Sequence, residues 1–115
     1  MRKINTEDVF KMARLLKNSD VIKTVKNAYE AGKKENADSE KIGLDAAMEI
    51  LVSCTDPKIE AQFYDLVAGI CEKKPEDIRT QSLEGTIEDI KKICQENNIG
   101  NFLKSASGLS GNIFG

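Results

Sequence analysis

Asp56-Pro57-Lys58-Ile59-Glu60-Ala61-Gln62-Phe63-Tyr64-Asp65-Leu66-Val67-Ala68-Gly69-Ile70 is the stretch whose reading decides the fold class. Asp56 is a good N-cap, because its carboxylate accepts from a free N–H of the first helical turn. Pro57 suits the first helical position, where a missing N–H leaves no bond unmade. Ile59, Phe63, Leu66, Val67 and Ile70 recur at helical spacing and fall on one stripe, which predicts a helix with a single buried face. Lys73 and Lys74 near its end complement the negative pole of the helix dipole.

Toward the carboxyl end, Pro75-Glu76-Asp77 opens a short helix reaching about Thr80, with acid at its positive pole. Ser82 caps a longer helix from Leu83 to about Asn97. Leu83, Ile87, Ile90, Ile93 and Cys94 form its apolar stripe, while Glu84, Glu88, Asp89, Lys91 and Lys92 face water. Ile99, Phe102, Leu103 and Ala106 have the spacing of a last short helix. Ser107 to Gly115 is rich in Ser and Gly and reads as a flexible tail.

Toward the amino end, Asn5 caps a first helix, with Thr6-Glu7-Asp8 in its first turn and Ile4 placed to staple against Val9. Its core face is Val9, Phe10, Ala13 and Leu16, with Met12 at the edge. Ser19 or Asp20 caps a second helix carrying Val21 or Ile22, Val25, Ala28 and Tyr29, which ends near Gly32. Lys33 to Ser39 is polar, lacks periodicity and predicts a loop. A third helix runs from Asp38 or Ser39 to about Cys54 on Ile42, Ala46, Ala47, Ile50, Leu51 and Cys54. Gly43 inside it weakens the helix by about 1 kcal/mol relative to Ala, and a close helix contact there would explain it. The expectation is an all-α fold, a single compact domain of about five to six short helices over 1–106 with no sheet, followed by the flexible tail over 107–115.

Composition agrees. The chain has 115 residues, enough for one domain with its own core. Apolar residues make up 40% and charged residues 31%, a globular balance, and only four Phe, two Tyr and no Trp are available to build strands. Net charge is −2, too balanced to imply affinity for nucleic acid or an anionic membrane. Apolar runs are short, as in Ala46-Ala47-Met48 and Ile50-Leu51-Val52, so neither a transmembrane helix nor a secretory signal is expected. The chain is expected to stay in the cytoplasm where it is made. Cys54, Cys71 and Cys94 are odd in number, lie on apolar faces and read as buried thiols in a reducing compartment.

Chemistry is hard to find. The chain has no His, the commonest general base near neutral pH. No Cys has an evident activating neighbour, and no glycine-rich loop follows a strand. A zinc site would need four ligands from three Cys and no His. Glu7-Asp8 and Glu76-Asp77 sit in first turns, where acid complements the dipole, and Glu88-Asp89 faces water. No catalytic residue, metal or cofactor is expected, and the chain reads as a binder, not an enzyme. One alternative is a small DNA-binding regulator using the helices between Asp56 and Asn97. Against it, the would-be recognition helix sets Glu84, Glu88, Asp89 and Glu96 against Lys91 and Lys92, a charge that phosphate repels. A helical scaffold with some other partner is a further alternative.

Several segments together resemble a known family. They are Ile4-Asn5-Thr6-Glu7-Asp8-Val9-Phe10, Ile42-Gly43-Leu44-Asp45 and Tyr64-Asp65-Leu66-Val67-Ala68-Gly69-Ile70. Lys74-Pro75-Glu76-Asp77-Ile78 is the most telling, with Ser82-Leu83, Ile87-Glu88-Asp89-Ile90-Lys91 and the Asn97 to Ser105 ending. Over about residues 4 to 106 the chain resembles the tail assembly chaperones of long-tailed phages and prophages of Gram-positive bacteria. The resemblance implies a non-enzymatic protein of the bacterial host's cytoplasm. It would coat the aggregation-prone tape measure protein until the major tail protein polymerises around it, and it would tend to self-associate. It also implies a longer form made by frameshifting near the end of the shorter one. A client of this kind needs an apolar contact surface. Met12, Met48 and Tyr64 are the candidate contacts on the helices, and Leu109, Ile113 and Phe114 are the apolar residues that would make the tail a docking element.

Overall fold

The structure is a computed structural model that describes residues 1–53 and 56–110, apart from the side chains of Ser39, Ser53 and Ser110. The described residues form α1 (Thr6–Leu16), α2 (Ser19–Lys34), α3 (Ser39–Ser53), α4 (Pro57–Cys71), α5 (Pro75–Thr80), α6 (Leu83–Glu96) and α7 (Ile99–Ser110), with no strand among them. The all-α expectation stands. Among the described residues the helix number is seven rather than five to six, because the short segments that form α5 and α7 both find anchors. Ile78 is 2% exposed and holds α5, while Ile99, Leu103 and Ala106 are buried and hold α7.

Capping explains most of the boundaries. Asn5 and Asp8 form a capping box on α1, Asp56 accepts from the Lys58 N–H at 2.8 Å, and Ser82 accepts from the Gly85 N–H at 3.1 Å. The cap of α2 is Asn18, not Ser19 or Asp20. Its side-chain oxygen accepts from the N–H groups of both Asp20 and Val21, and the helix begins one or two residues earlier than expected. Asn97 and Asn98 divide the turn between α6 and α7. Asn97 donates to the Ile93 carbonyl, and Asn98 accepts from the Asn101 N–H. α7 continues to Ser110, so the expected domain boundary at Ala106 falls inside a helix. Ala106 and Ser107 are both buried there, and the Ser107 hydroxyl donates back to the Lys104 carbonyl.

α4 ends on Glu72 in the left-handed region at φ 60°, with the Lys73 N–H closing onto the Ala68 carbonyl at 2.9 Å. Glycine has no Cβ penalty in that conformation. Glu72→Gly is therefore expected to gain about 0.5 kcal/mol, read as a higher urea midpoint, since the exposed contact of Glu72 with the terminal amine contributes little.

α3 sits centrally, packing on α2, α6 and α7, while α1 packs on α2, α4 and α7. The Cα radius of gyration is 12.8 Å, the value of about 13 Å expected when a chain of this length makes one compact body. Gly43 lets α3 and α6 meet. A Cβ placed there would lie 2.5 Å from Cys94 Sγ and 3.1 Å from Ile99. In an open helix Ala would be favoured over Gly by about 1 kcal/mol, but here overpacking reverses the sign. Gly43→Ala is expected to cost about 1–3 kcal/mol in urea denaturation. Gly108→Ala, where no atom lies within 4 Å, is the control and should be neutral or stabilising.

The first five residues act as a strap. The Arg2 N–H donates to the Ile70 carbonyl at 3.0 Å, and the Ile4 N–H donates to Asn97 Oδ1 at 3.0 Å. The Lys3 ammonium donates to the Glu96 carbonyl at 2.7 Å. One short segment thus joins the start of α1 to the ends of α4 and α6.

Candidate functional site

The residues that the sequence nominates for partner contact do not converge. Met12 is 5% exposed and faces the core, so it offers no surface. The reason is the rotation of α1. Its buried face is Asp8, Met12, Ala13, Leu15 and Leu16, not Val9, Phe10, Ala13 and Leu16. Asp8 is drawn inward by Arg2, and Phe10, roughly 200° further round the helix, is left 48% exposed. Tyr64 is half-buried on α4, with its hydroxyl donating to Glu60 at 2.6 Å, a bond that raises the phenol pKa together with partial burial. Leu109 is 52% exposed near the end of α7. Ile113 and Phe114 lie outside the described residues.

Met48 is placed differently. It is half-buried in an open groove of about 520 Å³ between α2 and α3, whose walls include Ala28, Ala31 and Asn27 on one side and Asp45 and Glu49 on the other. Asp45, Met48, Glu49 and Val52 are three and four residues apart and share the outward face of α3. Val52 is 74% exposed, the largest fraction among the exposed large apolar residues that are described. Sequence reasoning did not single out Val52, Phe10 or Leu83. For Val52 the signal was present, because it stands four residues after Met48. Leu83, expected on the α6 stripe, is 59% exposed, since it stands at the first position of the helix beyond the packed region.

Charged groups supply a second constellation. Arg2 grips Asp8 with a forked pair of bonds of 2.6 and 2.9 Å, and Asp8 also accepts from the Asn5 N–H at 2.9 Å. Lys11 lies between Glu7 at 3.4 Å and Asp65 at 3.2 Å, linking α1 to α4. Asp89, expected to face water, is 8% exposed. It accepts from Lys73 and from Gln81, both at 3.0 Å, and so ties α6 to the ends of α4 and α5. No buried side-chain acceptor among the described residues lacks a hydrogen-bond donor, which marks these clusters as ties between helices.

Burial pushes both carboxyls up, but their partners prevail. The Arg2 hydrogen bond, the Asn5 N–H and the charges of Arg2 and Lys11 bring Asp8 below the usual 3.8. Hydrogen bonds from Gln81 and Lys73, with the charges of Lys73 and Lys92, do the same for Asp89. On acidification the unfolded chain binds these two protons first. The stabilisation is thus complete above about pH 5 and is lost as pH falls past 3.8 toward the lower folded values. Urea midpoints measured from pH 7 downward should stay level and then drop below about pH 4, less steeply in Asp89→Asn.

Cys71 and Cys94 are free and buried, and Cys54 lies outside the described residues. Burial, with a smaller contribution from Asp89, raises the Cys71 thiol. Burial, with a smaller contribution from Glu40, pushes Cys94 up to about 12. Both thiols are therefore protonated and weakly nucleophilic at neutral pH. Among the described residues no group of three or more His, Cys, Asp or Glu is placed to hold a metal ion, and no helix is long and apolar enough to cross a membrane.

The core contains a cavity of about 80 Å³ that is partly open to the surface. Its walls come from α1, α3, α4, α6 and α7 and are apolar throughout, with Gly43 and the Cys94 thiol as the least oily members. Compared with known proteins, the chain matches no protein family model, no curated protein and no solved structure.

Proposed function

We propose that this chain is a tail assembly chaperone that binds the tape measure protein and keeps it soluble during tail assembly. The observation that carries the reading is the sequence resemblance over about residues 4 to 106, above all Lys74-Pro75-Glu76-Asp77-Ile78 and the ending from Asn97 to Ser105. The helical fold is compatible with that resemblance. Lys74 to Ile78 form the entry into α5, and Asn97 to Ser105 form the turn into α7 and its first half. The face of α3 bearing Met48 and Val52 supports a binding role, because an unbranched Met beside small Ala28 and Ala31 offers an adaptable apolar contact for a helical client. Self-association and contact with the major tail protein belong to the same proposal.

Co-expression with the tape measure protein tests it. The client should become soluble and co-purify with this chain, and Met48→Glu combined with Val52→Glu should reduce the recovered complex. A client that stays insoluble, with no complex formed, would refute the reading.

A further inference from the structure

The core cavity has a shape and chemistry that the proposed function does not use. Of the side chains around it, only Phe102 is partly exposed, while Met12, Phe63, Ile93, Cys94 and Leu103 are all buried. An ordered water needs two to four polar partners, and these walls supply none beyond a weakly bonding thiol, so water is held poorly there. An apolar void leaves its walls short of dispersion contacts on one side, and a guest without hydrogen-bonding groups restores them. Size sets the limit. An engineered apolar cavity of about 150 Å³ takes benzene, and this one, at about 80 Å³, is roughly half as large.

We propose that the cavity between α1, α3, α4, α6 and α7 is a binding site for a compact apolar ligand smaller than benzene, such as a short alkyl molecule. Entry runs past Phe102, the one wall side chain that reaches the surface. Gly43 keeps the α3 wall thin where it meets Cys94, and Ala46 and Ala47 extend the same small-residue wall. None of its wall residues lines the α2–α3 groove.

Xenon and cyclopropane are suitable probes, added to the full chain in solution. Methyl resonances of Met12 and Leu103 should shift saturably with either probe. Those of Val25 and Ile78, which are buried but do not line the cavity, should stay in place. Ala46→Leu fills the void and should abolish the shifts. The unmodified protein decides the matter if that variant does not fold. Unsaturable shifts, or shifts of equal size at Val25 and Ile78, would overturn the proposal, as would no response to either gas.

Discussion

Leu15→Ala is expected to destabilise the protein by about 3–5 kcal/mol, at the upper end for a buried leucine. Leu15 is 0% exposed and forms part of the wall of the core cavity. Truncation there removes the transfer energy of the side chain and enlarges an existing void. Urea denaturation followed by far-UV circular dichroism measures the loss. A cost near 1 kcal/mol would mean that α1 relaxes into the gap and that the cavity is not held open by rigid walls. Leu16→Ala is the useful comparison, because Leu16 is equally buried at 1% exposure but does not line the cavity.

Arg2→Ala is expected to cost about 3 kcal/mol, although Arg2 lies in a terminal strap where substitutions are ordinarily tolerated. The cost comes from its partner. Asp8 is 0% exposed, and without the guanidinium its carboxylate keeps only the Asn5 N–H and the more distant charge of Lys11. An unpaired buried charge is costlier than the loss of one surface ion pair. Adding Asp8→Asn to Arg2→Ala should recover part of the stability, because a neutral amide can still accept from Asn5 without a buried charge. Strict additivity of the two substitutions would show that they do not act on a shared interaction. The single Arg2→Ala variant should also raise the Asp8 pKa and so begin its acid unfolding at a higher pH than the parent chain.

How much was legible in the sequence differs from element to element. The start and buried face of α4 were legible, because Asp56, Pro57 and the stripe from Ile59 to Ile70 are local signals that agree with one another, whereas its close on Glu72, ahead of Lys73 and Lys74, was not. α6 was half legible. Its cap at Ser82 was evident, but Asp89 was placed in water by its charge, whereas Lys73 and Gln81 arrive from other elements to receive it. α1 shows the same limit. Its cap was readable at Asn5, but its rotation depends on Arg2 reaching Asp8 across the strap. Periodicity gives the apolar direction only when no buried polar pair competes for the same face. The candidate contact residues fared worst for that reason. Met12 turned inward with the rotation of α1, and Val52 emerged as exposed beside Met48.

By itself the sequence determined the helical class, most helix starts and the absence of His, since caps, proline placement and composition act within a few residues of chain. The tertiary structure alone decided which face of each helix is inside, that Gly43 is a contact point, and that five helices line one apolar pocket. Those outcomes depend on side chains far apart in the chain meeting in three dimensions, where a charge finds its partner or a helix its neighbour.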